Sequence, residues 1–206
     1  LQVTDKAGLK VSGSGYLCAA MESGASLTVE SLGSIPAVIN AADAAVGGLV
    51  GTMGSGASLT VDSLNGCTIN VTSDYSPADN APNGAAGGLV GKMEDGAVLT
   101  ISSVVTIGSI TGKGYTGGIA GECTNPVFNF SGGASLTGAN NSGQIYSSGG
   151  RAVGGIAGKL TWSSDNPTMA ALPISNLLIT NGDAGGLYGE VENTAGKELV
   201  FSYQGS

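Results

Sequence analysis

The stretch LVGTMGSGASLTVDSL, residues 49–64, lies without a gap on LCAAMESGASLTVESL, residues 17–32. A glycine pair precedes residues 49–64, and the string Gly-Gly-x-x-Gly returns at Gly47 to Gly51, Gly87 to Gly91, Gly117 to Gly121, Gly154 to Gly158 and Gly185 to Gly189. A degraded sixth copy, Gly15-Tyr16-Leu17-Cys18-Ala19, heads residues 17–32. The starts at 15, 47, 87, 117, 154 and 185 lie 32, 40, 30, 37 and 31 residues apart. A unit of about 30 residues with two enlarged members is the mark of a solenoid whose insertions fall in loops.

Alternation shows that the unit is built from strands. Counting from each glycine pair, offsets 2, 4 and 6 read Leu49-Gly51-Met53, Leu89-Gly91-Met93, Ile119-Gly121-Cys123 and Ile156-Gly158-Leu160, while offset 5 reads Thr52, Lys92, Glu122 and Lys159. Apolar inside and polar outside with period two is a half-buried strand. After the turn Ser-Gly-Ala a second strand places Leu59 and Val61 inward and stacks Thr28, Thr60 and Thr100 outward. A third segment is looser, at Ile35 to Ile39, Cys67 to Val71 and Ile107 to Ile110. One coil cannot bury its apolar edge alone, but stacked coils extend each strand into a parallel sheet around a shared core. The expected fold is therefore all-β: a right-handed parallel β-helix of about six coils of roughly 30 residues, with three short strands per coil. Glycines at the corners answer close backbone approach, and Gly51 points into a narrow core. The repeat runs from Gly15 to Gly189 without a gap for a boundary, so residues 1–206 read as one β-helix domain. A chain that begins at Leu1 is expected to be a fragment of a larger one.

Composition sets the material and excludes partners. Glycine is 37 of 206 residues, but there is no triplet period and proline is only 6, which excludes collagen and proline-rich disorder. Aromatics at 5% confine the core to Leu, Ile, Val, Ala and Met. A net charge of −8 without histidine argues against nucleic acid and anionic membranes. No apolar run approaches the roughly 20 residues that span a bilayer, so membrane insertion is not expected. Cys18, Cys67 and Cys123 read as buried free thiols, with Cys123 in the slot of Met53 and Met93 and Cys67 aligned with Ile107. Trp162 shares parity with Leu160 and reads as buried.

From Gly117 onward the pattern loosens. Phe128 and Phe130 alternate, a Gly-, Ser- and Asn-rich stretch runs to Gly150, and the last unit stops short of a full turn, leaving strand edges that a continuation or a cap is expected to cover.

Gly-Gly-Leu-Val-Gly at Gly47 to Gly51 and Gly87 to Gly91, recurring every thirty-odd residues between Ser- and Thr-rich strands, resembles the GLUG repeat of bacterial surface proteins. The resemblance covers about Gly15 to Gly189, with Ile-Ala or Leu-Tyr in the middle of the later copies. It implies an exported protein, secreted or on the bacterial cell surface, often a large adhesin-like chain. The same repeat occurs in non-catalytic regions of some immunoglobulin A peptidases, and it implies no catalytic residues.

The residues themselves give little support to catalysis. Polysaccharide lyases and hydrolases on β-helices need clustered carboxylates or a cation site with a basic partner. Here the aspartates are scattered, Arg151 is the only arginine, and Glu30 and Asp62 on adjacent rungs read as a solvated face. No metal or cofactor is expected: a calcium-binding β-roll needs a recurring Asp, and Gly182-Asp183 does not recur. An ice-binding face needs two parallel Thr columns, and the chain offers one. The binding candidates are two insertions, one with Asp74, Tyr75, Asp79 and Asn80 and one with Asn140, Asn141 and Tyr146, each read as lengthening a corner. Loops on a rigid scaffold are free to vary and commonly carry binding. The expected function is a non-catalytic stalk or adhesive module of a bacterial surface protein, a monomeric rod within a longer chain that contacts a host or cell-surface glycan or protein through these loops. The alternative is a fragment of a β-helical polysaccharide-processing enzyme or a phage tail spike; a trimeric spike would carry an apolar outer stripe, whereas the outward positions here read Thr, Ser, Lys and Glu.

Overall fold

The computed structural model describes residues 10–11, 14–32, 37–42, 44–64, 66–75, 84–131, 133–163, 168–180, 183–194, 196 and 200–203. Every strand pairing in it is parallel, and the strands stack rung on rung as a parallel β-helix. Among the described residues there is no α-helix, only a 3-10 turn at Ala139–Asn141.

The first face stacks Cys18–Met21, Val50–Met53, Val90–Met93, Ala120–Thr124, Ala157–Trp162 and Tyr188–Asn193. Six rungs on one face correspond to about five turns of the coil. The second face stacks Ser26–Val29, Ser58–Val61, Val98–Ile101 and Val127–Phe130. The third is the widest and includes Ala37–Ala41, Thr68–Ser73 and Val104–Gly112. These are the three sides that the repeat predicts. A fourth, short column, which sequence alternation does not separate from the first face, precedes the glycine pair: Ala45–Gly47, Ala85–Gly87, Tyr115–Gly117, Val153–Gly154 and Ala184–Gly185.

The glycines explain the corner between the short column and the first face. A Cβ added to Gly48, Gly88, Gly118 or Gly155 would land on the carbonyl oxygen of the equivalent glycine one rung on. One added to Gly91, Gly121, Gly158 or Gly189 would strike the backbone nitrogen of Val46, Ala86, Thr116 or Val153, one rung back in the short column. At this corner the two strands meet backbone to backbone, with no layer of side chains between them. Gly51 faces a narrow interior too, where an added Cβ would meet Ala19 O on the rung before and the Ser14 side chain.

The Leu49 column holds along the rod. The amide of Leu49 donates to Leu89 O, Leu89 to Ile119 O, Ile119 to Ile156 O and Ile156 to Leu187 O, at 2.7–3.0 Å. Leu49, Leu89, Ile119 and Ile156 are each 0% exposed. Removing such a side chain from water stabilises the fold by about 1.5–3 kcal/mol. Strict alternation fails just after it: Val50, Val90, Ala120 and Ala157 are buried members of the same core. The chain bends at Gly48-Leu49, and residues on both sides of a bend can face the interior.

The second face extends the core with bulkier groups. Leu99 pairs with Phe128 and Ile101 with Phe130, and the two rings stack with centroids 5.6 Å apart. Trp162 is buried as read, and its indole N–H has no hydrogen-bond partner among the described residues. Met53, Met93 and Cys123 share a column. Cys67 departs from its expected alignment. Thr68 pairs with Thr106, so Cys67 lies across from Val105 and not Ile107. The corner from Val61 to Thr68 is two residues longer than that from Ile101 to Thr106, which defeats counting from the glycine pair. None of the three cysteines forms a disulfide, but only Cys67 and Cys123 are buried, since Cys18 sits half-exposed on the first rung. Val200–Tyr203 adds a parallel strand beside Thr168–Ala171, which continues the stacking.

Candidate functional site

The third face carries the irregularity of the molecule. Ile107 pairs with Ile69 and Ser109 with Asn70, leaving Gly108 as a one-residue bulge. On the next rung Gly138 pairs with Ile107 and Gln144 with Ser109, so five residues, 139–143, stand in the place of Gly108 alone. On the rung after that, Ser175 pairs with Thr137 and Leu177 with Gly143, with the single residue Asn176 between them. Asn140, Asn141 and Asn176 adopt φ of 49°, 58° and 56°, the left-handed region that Asn tolerates better than most residues. The Asn140 insertion is therefore an enlarged bulge in the middle of a face, and the expectation that it lengthens a corner is corrected. Inserting residues there leaves the strand on either side in register, as bulges do.

The first insertion does lie at a corner. Eleven residues join Ser73 to Ala85, where three join Ala41 to Ala45 and two join Gly112 to Tyr115. Asp74 is exposed, its backbone amide donates to Ala41 O, and its carbonyl accepts from Lys113 Nζ at 3.3 Å. Tyr75 is half-buried, with its ring beside Gly84. Asp79 and Asn80 lie outside the described residues. Asn140 and Asn141 are exposed, and Tyr146 is half-buried on the third face.

The first insertion follows the third-face strand Thr68–Ser73, and the second interrupts that face two rungs on. In Gly143–Ser147 the residues alternate buried, exposed, buried, half-buried, buried, so Gln144 and Tyr146 point outward. Outward positions include three columns: Thr68, Thr106, Thr137 and Ser175; Asn70, Ser109, Gln144 and Leu178; Thr72, Thr111, Tyr146 and Thr180. No charged residue stands at any of these twelve positions, although the chain carries 22 charged side chains. The sequence reading found one Thr column, Thr28, Thr60 and Thr100, which the second face does show. The two on the third face escape constant spacing because the corner before Thr68 is two residues longer than that before Thr106, and Gly108 then shifts Thr111 again relative to Thr72. The period-two outward run Thr68, Asn70, Thr72 was the signal available. A flat threonine lattice extends only two rungs before the loop and Tyr146 interrupt it.

Charge gathers on the first face instead. Outward positions there pair Lys92 with Glu122, Glu122 with Lys159 and Lys159 with Glu190. Lys159 Nζ lies 3.0 Å from Glu192 and 3.3 Å from Glu190, and 5.2 Å from the centre of the Tyr115 ring. Burial alone would lower the Lys159 pKa, but the hydrogen bonds to Glu192 and Glu190, with Tyr115 nearby, outweigh it and hold the ammonium above its ordinary value. This cluster fastens rungs together. Burial, then the Glu122 carboxylate, pushes the Cys123 thiol up, and burial raises Tyr188, so neither group is set up to ionise near neutrality. A ladder at the next corner links Asn125 Nδ2 to Asp95 Oδ1 and to Ser163 Oγ.

Among the described residues no three His, Cys, Asp or Glu side chains gather as a metal site, and no helix is long and apolar enough to cross a membrane. The chain matches no family model, no curated protein and no solved structure.

Proposed function

We propose that this chain is a non-catalytic structural and adhesive module of a bacterial surface protein, resembling the GLUG-repeat proteins, in which a rigid rod presents a variable face to a partner outside the cell. The observation that carries the reading is the division of labour between faces. The first face repeats without a slip along the rod, while the third takes up one extra residue at Gly108 and five at 139–143 and keeps its register on either side, and the longer insertion after Ser73 begins at the corner where that face ends. Variable loops on an invariant scaffold are the arrangement that binding modules use.

Antibodies against the 206-residue chain are expected to label intact cells of the organism that encodes it and to reduce their attachment to host or neighbouring cells. Labelling that appears only after lysis would remove the surface reading.

A further inference from the structure

We infer that the outward third face around Gln144 and Tyr146 is a binding surface for a neutral polysaccharide. The inference rests on the surface-module reading and names the class of ligand.

Three features of the face converge. Tyr146 is the one aromatic side chain in the three outward columns, flanked on adjacent rungs by the smaller Thr111 and Thr180, so its ring has room to be approached. Aromatic rings accept the C–H face of a sugar ring as an apolar surface, and a tyrosine adds a polar hydroxyl at its tip. Exposed Leu178, 54% accessible, pairs with Gln144 and enlarges the apolar ground beside the ring. Around it Ser109, Thr111 and Gln144 supply hydroxyl and amide groups that both donate and accept, which is what a polyhydroxylated chain presents in return.

The absence of charge selects among polar ligands. The protein carries −8 overall, yet the twelve outward positions are neutral, so no side chain at them attracts sulfate, uronate or phosphate groups and the surrounding field repels them. A stable protein partner ordinarily needs about 800 Å² of well-packed surface on each side, and the ridge at Ala139–Asn141 breaks this face before it reaches a flat area of that kind. An extended chain needs only a strip, and rungs about 4.8 Å apart supply one along the rod.

The test is affinity electrophoresis of the folded 206-residue chain through gels containing β-glucan, xylan, mannan or galactan, with heparin as the anionic comparison. Retardation by at least one neutral polymer and none by heparin is expected. Tyr146→Ala should weaken that retardation roughly tenfold, equivalent to about 1.4 kcal/mol. Gln144→Ala should weaken it less, and Thr100→Ala, on the second face, should leave it unchanged. Circular dichroism checks each variant for folding, and Gln144→Ala decides if Tyr146→Ala unfolds. The inference is overturned by no retardation on any of the four polymers, by retention on heparin, or by retention indifferent to both substitutions. Cell labelling and attachment without polysaccharide retention would remove this inference alone, whereas labelling only after lysis would remove the reading beneath it.

Discussion

Two faces of one rod meet the same stacking requirement in opposite ways. On the first face the equivalents of Val50, Thr52 and Met53 pair from Cys18–Met21 to Tyr188–Asn193 with no inserted residue. On the third, successive rungs carry no extra residue at Ile69-Asn70, one at Gly108, five at 139–143 and one at Asn176. The contrast follows from what lies behind each strand. Behind the first face, at the glycine corner, is another backbone, which cannot give way. The middle of the third face opens to solvent, where an extra residue simply bulges outward. Register is enforced where backbone meets backbone and relaxed where water is the neighbour.

The comparison is most directly broken by adding one methyl group to each face. Gly88→Ala would press a Cβ onto Gly118 O, and no side-chain rotation relieves it; a loss of about 4 kcal/mol in urea denaturation is expected. Gly108→Ala meets the Asn70 side chain, which can turn away, so a loss of about 1 kcal/mol or less is expected. Equal losses would show that the two faces are equally rigid. Next in size, Leu89→Ala should cost about 3 kcal/mol by the same measurement, since the residue is fully buried and its neighbours Leu49 and Ile119 are held by their own rungs.

The charged cluster gives a smaller effect. Glu190 and Glu192 keep 43% and 49% of their side-chain exposure, so water screens the pairs, and Lys159→Ala should cost about 1 kcal/mol, shrinking in high salt. Because the folded pKa of Lys159 is raised, its contribution is complete below the ordinary lysine value and is lost only as pH climbs through the folded one. The difference between wild type and Lys159→Ala should therefore stay level from about pH 6 to about pH 9 in thermal melts. Smallest of all, replacing residues 139–143 by a single Gly, as at Gly108, should change stability by less than about 1 kcal/mol. A larger loss would mean that the loop braces the face as well as projecting from it.

The repeat was legible because identical residues at constant offsets report identical environments. Leu49, Leu89, Ile119 and Ile156 fall in one column by offset alone, as do Met93 with Cys123 and Thr60 with Thr100. Offset counting failed wherever a corner changed length, which is why Cys67 was set against Ile107 when it lies across from Val105. Alternation failed at the bend, where Val50 is buried directly after Leu49. Of the residues on the proposed binding surface, Tyr146 and Gln144 fall in the stretch marked by the enlarged spacing between units, but Ser109 and Leu178 do not show in the sequence, because nothing local distinguishes an outward Ser or Leu from any other.

The sequence alone determined that this chain coils, with what period, and which side chains fill the core, because those follow from local alternation and from glycines that exclude a Cβ. Only the tertiary structure decided that the 139–143 insertion interrupts the middle of the third face and that three outward columns of neutral residues line up across rungs there. Those columns join residues roughly 30 or more positions apart through corners of unequal length, and the stacking of whole coils is what brings them side by side.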